Sequence, residues 1–314
     1  MLYLTTRDNK NAYTAHKTLC TDIAPDGGFY TPYKLPCLDR LQLDSLAQGT
    51  FGDAIAKILN LFFSIRLTGW DIDLQIGRAP IRITKLPRKI MIAELWRNPG
   101  SGMEYLIDAL YRCVATNEEH SEKPTIWART VIRIAILFGV YTQIMREESE
   151  DLLMDISVNM QDITELLSAW YARAIGLPLG QIVCCCDTGD AFWDLLHGGV
   201  LSTRAINDPQ LAGAEILAYQ TLGHSQSQHL ASVINARGTF TISEEDHKAF
   251  SSGIYPVAVS LDRAGSVSSN IRRSAGYSID PSAAITYGGL QDYRAQTGES
   301  CLTILLSQSA PDNI

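Results

Sequence analysis

Residues 24–32 read Ala24-Pro25-Asp26-Gly27-Gly28-Phe29-Tyr30-Thr31-Pro32. The proline presets φ and the paired glycines accept φ > 0, so residues 25–28 form a turn. Phe29 to Pro32 then continue as a short extended piece. Thr5-Thr6-Arg7 lies upstream and Leu35-Pro36 downstream. Farther on, Thr50 and Asp53 stand three apart, as in a capping box, ahead of Ile55, Ile58, Leu59 and Phe62 at helical spacing. These signals mark residues 1–80 as a small amino-terminal unit.

Residues 81–314 read as a larger α/β core. A strand is expected around Ile90 to Leu95, then a Pro99-Gly100 turn and a helix. In that helix Met103, Leu106, Ile107, Leu110 and Val114 form one stripe. Glu104, Asp108 and Arg112 form a solvated face with room for one ion pair. Residues 115–125 make a polar linker, and an apolar helix follows at 126–146. Leu152 to Val158 and Gln181 to Cys186 read as strands, with a helix at 162–175 between them that ends at Gly176-Leu177-Pro178. Asp280 and Pro281 have the chemistry of an N-cap and a first helical residue.

Composition narrows the class. With 314 residues, 46% hydrophobic and 19% charged, the chain is an ordinary globular protein with ample core. A formal charge of -8 argues against nucleic-acid binding, which needs a basic face. Met1-Leu2-Tyr3-Leu4 leads straight into Thr5-Thr6-Arg7-Asp8, which is not a signal-peptide pattern. The apolar run Ile134 to Tyr141 is too short to cross a bilayer. Seven cysteines, three of them adjacent at Cys184, Cys185 and Cys186, do not suggest a disulfide framework. The expected location is a reducing cytoplasm.

The amino-terminal pattern resembles that of threonine synthases, enzymes that use pyridoxal phosphate (PLP). Ile126-Trp127-Ala128-Arg129 resembles the family's Asn-Trp-Ala-Arg helix, and Ala172 to Pro178 its Ala-Lys-x-x-Gly-Leu-Pro. Asp190, Phe192 and Leu196 to Gly199 resemble its Asn-Asp…Phe…Gly segment. Gly276-Tyr277-Ser278-Ile279-Asp280-Pro281 resembles its Gly-Tyr-x-x-(Asp/Glu)-Pro-His. The resemblance implies the large domain of PLP fold type II. In the family a second α/β domain separates the lysine helix from the Trp-Ala-Arg helix. Here only residues 105–125 lie between Glu104 and Ile126, so that domain reads as deleted, with the polar linker as its scar.

The resemblance also says where cofactor chemistry would sit. The family stretch Glu-Leu-(Phe/Tyr)-His-Gly-Pro-Thr-Leu-Ala-Phe-Lys-Asp, lined up on Glu94, Leu95 and Pro99, puts Glu104 at the Schiff-base lysine, and a carboxylate cannot condense with an aldehyde. The family's Gly-Asn-Phe-Gly phosphate loop becomes Gln161, Asp162, Ile163 and Thr164, followed by Glu165. Both glycines are lost. Each acid near a phosphate would cost about 4 kcal/mol at about 4 Å and an effective dielectric of about 20. The bland alternative is that these acids cap the helix. The Ser-Gly-Asp-Thr-Gly motif of the missing domain has no replacement, since Asp187-Thr188-Gly189-Asp190 reads as a turn. Ser307 could stand for the hydroxyl residue that approaches the cofactor ring nitrogen.

Other chemistry finds little support. Lys85 and Lys89, the lysines nearest in sequence, read as solvated. His224 and His229 are five apart, which does not stack two imidazoles on one helix face, and no metal site is expected. The triple cysteine reads as buried packing with alternating faces. The stripe at 131–141 reads as core, part of which a lost domain could expose. The chain is therefore expected to be a threonine synthase-like pseudoenzyme that binds no PLP and has a binding, regulatory or structural role. A protein partner, or self-association, would use surface freed by the deletion. The alternatives are a small-molecule enzyme using Glu104, Asp108 or Asp162 without PLP, and, last, residual PLP-dependent lyase activity through a relocated lysine.

Overall fold

In a computed structural model the described residues are 1–311 without 79–80, 98–101, 117–118, 149–152, 188 and 205. The Pro99-Gly100 turn, Leu152 and Thr188 thus lie outside them. The amino-terminal stretch holds β1 (Leu2–Thr5), β2 (Tyr13–Thr14), α1 (Lys17–Cys20), β3 (Tyr30–Pro32), α2 (Arg40–Gln48), α3 (Phe51–Phe63) and α4 (Gly69–Ile76). β1 lies between β2 and β3 in a small antiparallel sheet. The turn before β3 has Gly27 at φ +80, with Gly28 N donating to Asp26 Oδ1. Capping boxes start three successive helices, at Asp39/Gln42, Thr50/Asp53 and Thr68/Asp71. Each closes two backbone donors that a helix start leaves open.

A six-stranded sheet follows. Its strands are β4 (Arg82–Leu86), β5 (Ile90–Glu94), β6 (Met154–Asn159), β7 (Leu179–Cys186), β10 (Ile254–Ala258) and β11 (Thr303–Ser307). Their spatial order is β10-β7-β6-β11-β5-β4, parallel throughout except for the edge strand β4, which is antiparallel to β5. Between β5 and β6 run α5 (Met103–Val114) and α6 (Ile126–Glu147), and α7 (Ile163–Ala174) links β6 to β7. From β7 to β10 the chain passes through α8 (Ala191–Gly198), β8 (Val200–Ser202), α9 (Asp208–Leu222), α10 (His224–Asn235), β9 (Thr239–Thr241) and α11 (Glu244–Phe250). It returns to β11 through α12 (Leu261–Ala275) and α13 (Pro281–Thr297).

Two apolar cores flank the sheet, one holding α5, α6 and α7, the other α12 and α13. β7 shows why: Cys184 and Cys186 face the first core and Cys185 the second, as strand alternation requires. α6 reaches 22 residues, so the apolar run at 134–141 is part of a helix long enough by length and composition to span a bilayer. Every residue from Val131 to Tyr141 is nevertheless buried in the protein. The stripe is therefore core, as its sequence reads, and the packing of α3 and α7 on α6 covers it without leaving the exposed part that a lost domain could have created.

The connector between α5 and α6 is tied to α1 at Ser121. Ser121 N donates to Leu19 O at 2.9 Å, and the Tyr111 hydroxyl reaches both Leu19 O and Ser121 O. The amino terminus is fastened elsewhere too. Glu215 of α9 is fully buried and accepts from Thr6 Oγ1, Arg7 Nε and Arg7 Nη2.

Candidate functional site

The carboxyl ends of β6 and β11 form a switch point. α7 leaves β6 toward one face of the sheet, while β11 is entered from α13 on the other. In open α/β sheets this crevice is where ligands bind. Here it is occupied by side chains. Gln308, just past β11, donates from Nε2 to Glu165 Oε1 and to Ser282 Oγ. Glu165 Oε2 accepts from Asn159 N at 2.9 Å, and Asn159 Nδ2 donates to Ser282 Oγ at 3.1 Å.

Two arginines of α6 extend the network outward. Trp127, three per cent exposed, packs edge-on against Tyr3, Phe62 and Tyr171 and fixes the helix against the amino-terminal unit. Two and six residues on, Arg129 and Arg133 project together from another face, four residues apart. Arg133, two per cent exposed, donates to Asp162 Oδ2 at 2.7 Å and has Nη1 3.8 Å from Glu165 Oε1. Its Nε and Nη1 have no hydrogen-bond acceptor. Arg129 donates to the same Asp162 oxygen at 3.0 Å and grips Glu104 with both Nη atoms, at 2.9 and 2.7 Å. Glu104 lies here because Met103 N bonds to Gln308 O at 2.9 Å and Gly102, at φ +111, passes over that carbonyl. A Cβ on Gly102 would stand 2.7 Å from Gln308 O, so only glycine lets α5 approach so closely.

The structure thus brings Glu104 and the acidic loop together, with Glu104 still exposed on α5 as its helix face suggested. Glu104 pairs with Arg129 of α6, a partner on a neighbouring helix that the α5 face alone does not offer. Asp162 is the N-cap of α7, accepting from Thr164 N at 2.9 Å and Thr164 Oγ1 at 2.6 Å, and so both caps the helix and binds two guanidinium groups. Ile163 is buried, and Gln161 faces the polar cleft described below. Ser307 is fully buried, its hydroxyl donating to Asp280 Oδ2 and accepting from Trp96 Nε1. Asp280 caps α13 as expected. Asp108 is exposed on α5, Lys85 pairs with Glu148 and Glu147, and Lys89 is exposed at a hairpin tip.

The electrostatics follow from these contacts. The Arg129 grip holds the Glu104 carboxyl below its ordinary range, against some burial. Burial pushes Asp162 up, but Arg133, the Thr164 donors and Arg129 together hold it well below the carboxylate range. Glu165 is raised, because burial outweighs Arg133 and its two donors. Glu104 and Asp162 are therefore fixed as carboxylates, which suits ion pairing and disfavours proton donation.

Four backbone donors of the 161–165 loop are already used. Gln161 N bonds Asn159 Oδ1, Asp162 N bonds Asn159 O, Thr164 N bonds Asp162 Oδ1 and Glu165 N bonds Asp162 O. Beside the loop opens a polar cleft of about 440 Å³, lined by Gln161, Asp187, Asp190, Asn207 and Gln210. Asp190 accepts from Phe192 N and Gln210 Nε2 there. Among the described residues no group of three or more His, Cys, Asp or Glu could hold a metal ion.

Sequence reading did not assign roles to Arg133, Gln308, Asn159 or Ser282, and gave Arg129 none beyond its motif. One signal was available. Two arginines four apart in an otherwise apolar helix must meet anions once buried.

Residues 2–79 match the family described as threonine synthase N terminus. No curated protein sequence matches the chain. Among solved structures, PLP-bound threonine synthase from Brucella melitensis aligns with 99% of this chain and 89% of its own, at 14% identity and a TM-score of 0.81. The yeast threonine synthase gives 99%, 87%, 14% and 0.79. That of Escherichia coli gives 99%, 89%, 12% and 0.71. At such identities the likeness is one of fold. By its amino-terminal unit and its architecture, the chain is threonine synthase-like, with the mixed α/β arrangement of PLP fold type II.

Proposed function

We propose that this threonine synthase-like chain is a pseudoenzyme, without PLP binding or threonine synthase activity, that serves a binding, regulatory or structural role. The observation that carries the reading is the clamp of Glu104, at the family's lysine position, onto Arg129 and through it onto Asp162. PLP does not fit these residues. Glu104 offers no amine, and no lysine takes part in the network. A phosphate at the start of α7 would find the N–H groups of Gln161, Asp162, Thr164 and Glu165 engaged and two carboxylates beside it. The short connection between α5 and α6 supports a further part of the reading, that a second domain has been lost there.

An absorbance scan of purified protein with added PLP tests this. The expected result is the spectrum of free PLP and no borohydride-trapped adduct on the chain. A reduced phosphopyridoxyl-lysine peptide formed at stoichiometric PLP would overturn the reading. The polar cleft beside Gln161 favours one second reading, a small-molecule enzyme with a remodelled cleft. It requires a saturable melting shift with a small polar ligand that Gln210→Ala abolishes.

A further inference from the structure

Away from the switch point, a thiol and an imidazole meet at the amino-terminal unit. Cys20 closes α1, and its Sγ lies 3.6 Å from Nε2 of His16, one helical turn earlier. Both side chains are partly exposed, unlike the three buried cysteines of β7. The Sγ also lies 3.0 Å from Glu119 O, in the connector between α5 and α6. That connector is held to α1 by Ser121 N on Leu19 O and by the Tyr111 hydroxyl on Leu19 O and Ser121 O. It leads directly into α6, whose first residues are fixed to the same region. Thr125 Oγ1 donates to Thr18 O at 2.7 Å and Ile126 N to Asp22 Oδ1 at 2.5 Å.

We infer that Cys20 is a thiol-modification site, activated by His16, at which a low-molecular-weight disulfide forms a mixed disulfide and releases the 115–125 connector from α1. His16 Nε2 takes the Cys20 proton, and the thiolate attacks one sulfur of the disulfide RS–SR. The Cys20–S bond to that sulfur forms as the RS–SR bond breaks, and the departing thiolate takes a proton from the imidazolium. The products are Cys20–S–SR and RSH. The new group occupies the space where Glu119 O meets Sγ, so the connector must move, and with it the start of the helix that carries Arg129. The inference rests on this pair and stands apart from the reading of the cofactor site.

The test treats the full chain with oxidised glutathione and follows each cysteine by peptide mass mapping. Cys20 is expected to acquire glutathione, and His16→Gln to slow this at least fivefold while leaving the exposed Cys37 and Cys301 unchanged. His16→Asn serves if the glutamine variant folds poorly, and the unchanged rates at Cys37 and Cys301 report an intact fold. Hydrogen exchange in 115–125 should rise on thiolation of the natural chain and not in Cys20→Ser. Cys20 remaining free once Cys37 and Cys301 have reacted, a His16-independent rate, or unchanged exchange in the connector would each overturn the inference.

Discussion

Glu104 joins an expectation and an observation: the resemblance implies that it takes the place of a lysine, and its carboxylate is held by a guanidinium 25 residues away. On its own helix face the only basic residue, Arg112, is eight positions on and about 12 Å along the axis, beyond the reach of a direct ion pair. Helical periodicity reports neighbours at i+3 and i+4, so a contact between two helices is invisible to it. What the sequence does disclose at this scale is the chemistry of Glu104, and one substitution tests it. Glu104→Lys would set an ammonium against Arg129 and leave Asp162 with its two arginines. It should yield no PLP adduct, as read by absorbance and borohydride trapping, and should lower stability by about 1 kcal/mol in urea unfolding, the scale of a partly exposed pair. PLP capture by this variant would mean that the rest of the site survives.

α6 is the element on which the site depends, because Arg129 and Arg133 share its face while Trp127 fixes its seat. Arg133 is the deeper of the two, with Asp162 on one nitrogen and Glu165 facing another. Removing it leaves buried Glu165 without a counter-charge and Asp162 with Arg129 alone, and breaking a buried pair typically costs about 3–5 kcal/mol. Arg133→Ala should therefore shift the urea midpoint much more than Arg129→Ala, whose partner Glu104 can turn to water. Equal shifts would show that burial does not rank the two pairs. Elements such as α5, α6 and α7 were legible because apolar stripes, capping residues and Gly176-Leu177-Pro178 are local signals. β4 was not foreseen: its Arg82-Ile83-Thr84-Lys85-Leu86 sequence is too polar to stand out, as suits an edge strand that discourages pairing with other chains.

For the whole molecule the network gives stability a pH dependence of definite sign. Glu104 and Asp162 have depressed folded-state pKa values, so their contribution is complete above the ordinary carboxylate range and is lost as pH falls through the depressed values. Glu165, raised by burial, works the opposite way and costs stability once pH exceeds the ordinary glutamate value. The Asp162 shift is the large one, so the melting temperature should fall between about pH 5 and pH 2. Asp162→Asn should flatten that fall in differential scanning fluorimetry, and an unchanged slope would remove the network as its cause. Strand order was beyond sequence reading, since nothing local in Thr303 to Ser307 says that this strand inserts between β5 and β6. That placement has a consequence for synthesis. Until residues 303–307 have left the ribosome, β4–β5 and β6–β7–β10 are two separate half-sheets with unpaired inner edges. Residues 160–302 are therefore translated while the facing edges of β5 and β6 stand open, the interval in which a chaperone would keep those edges from other strands.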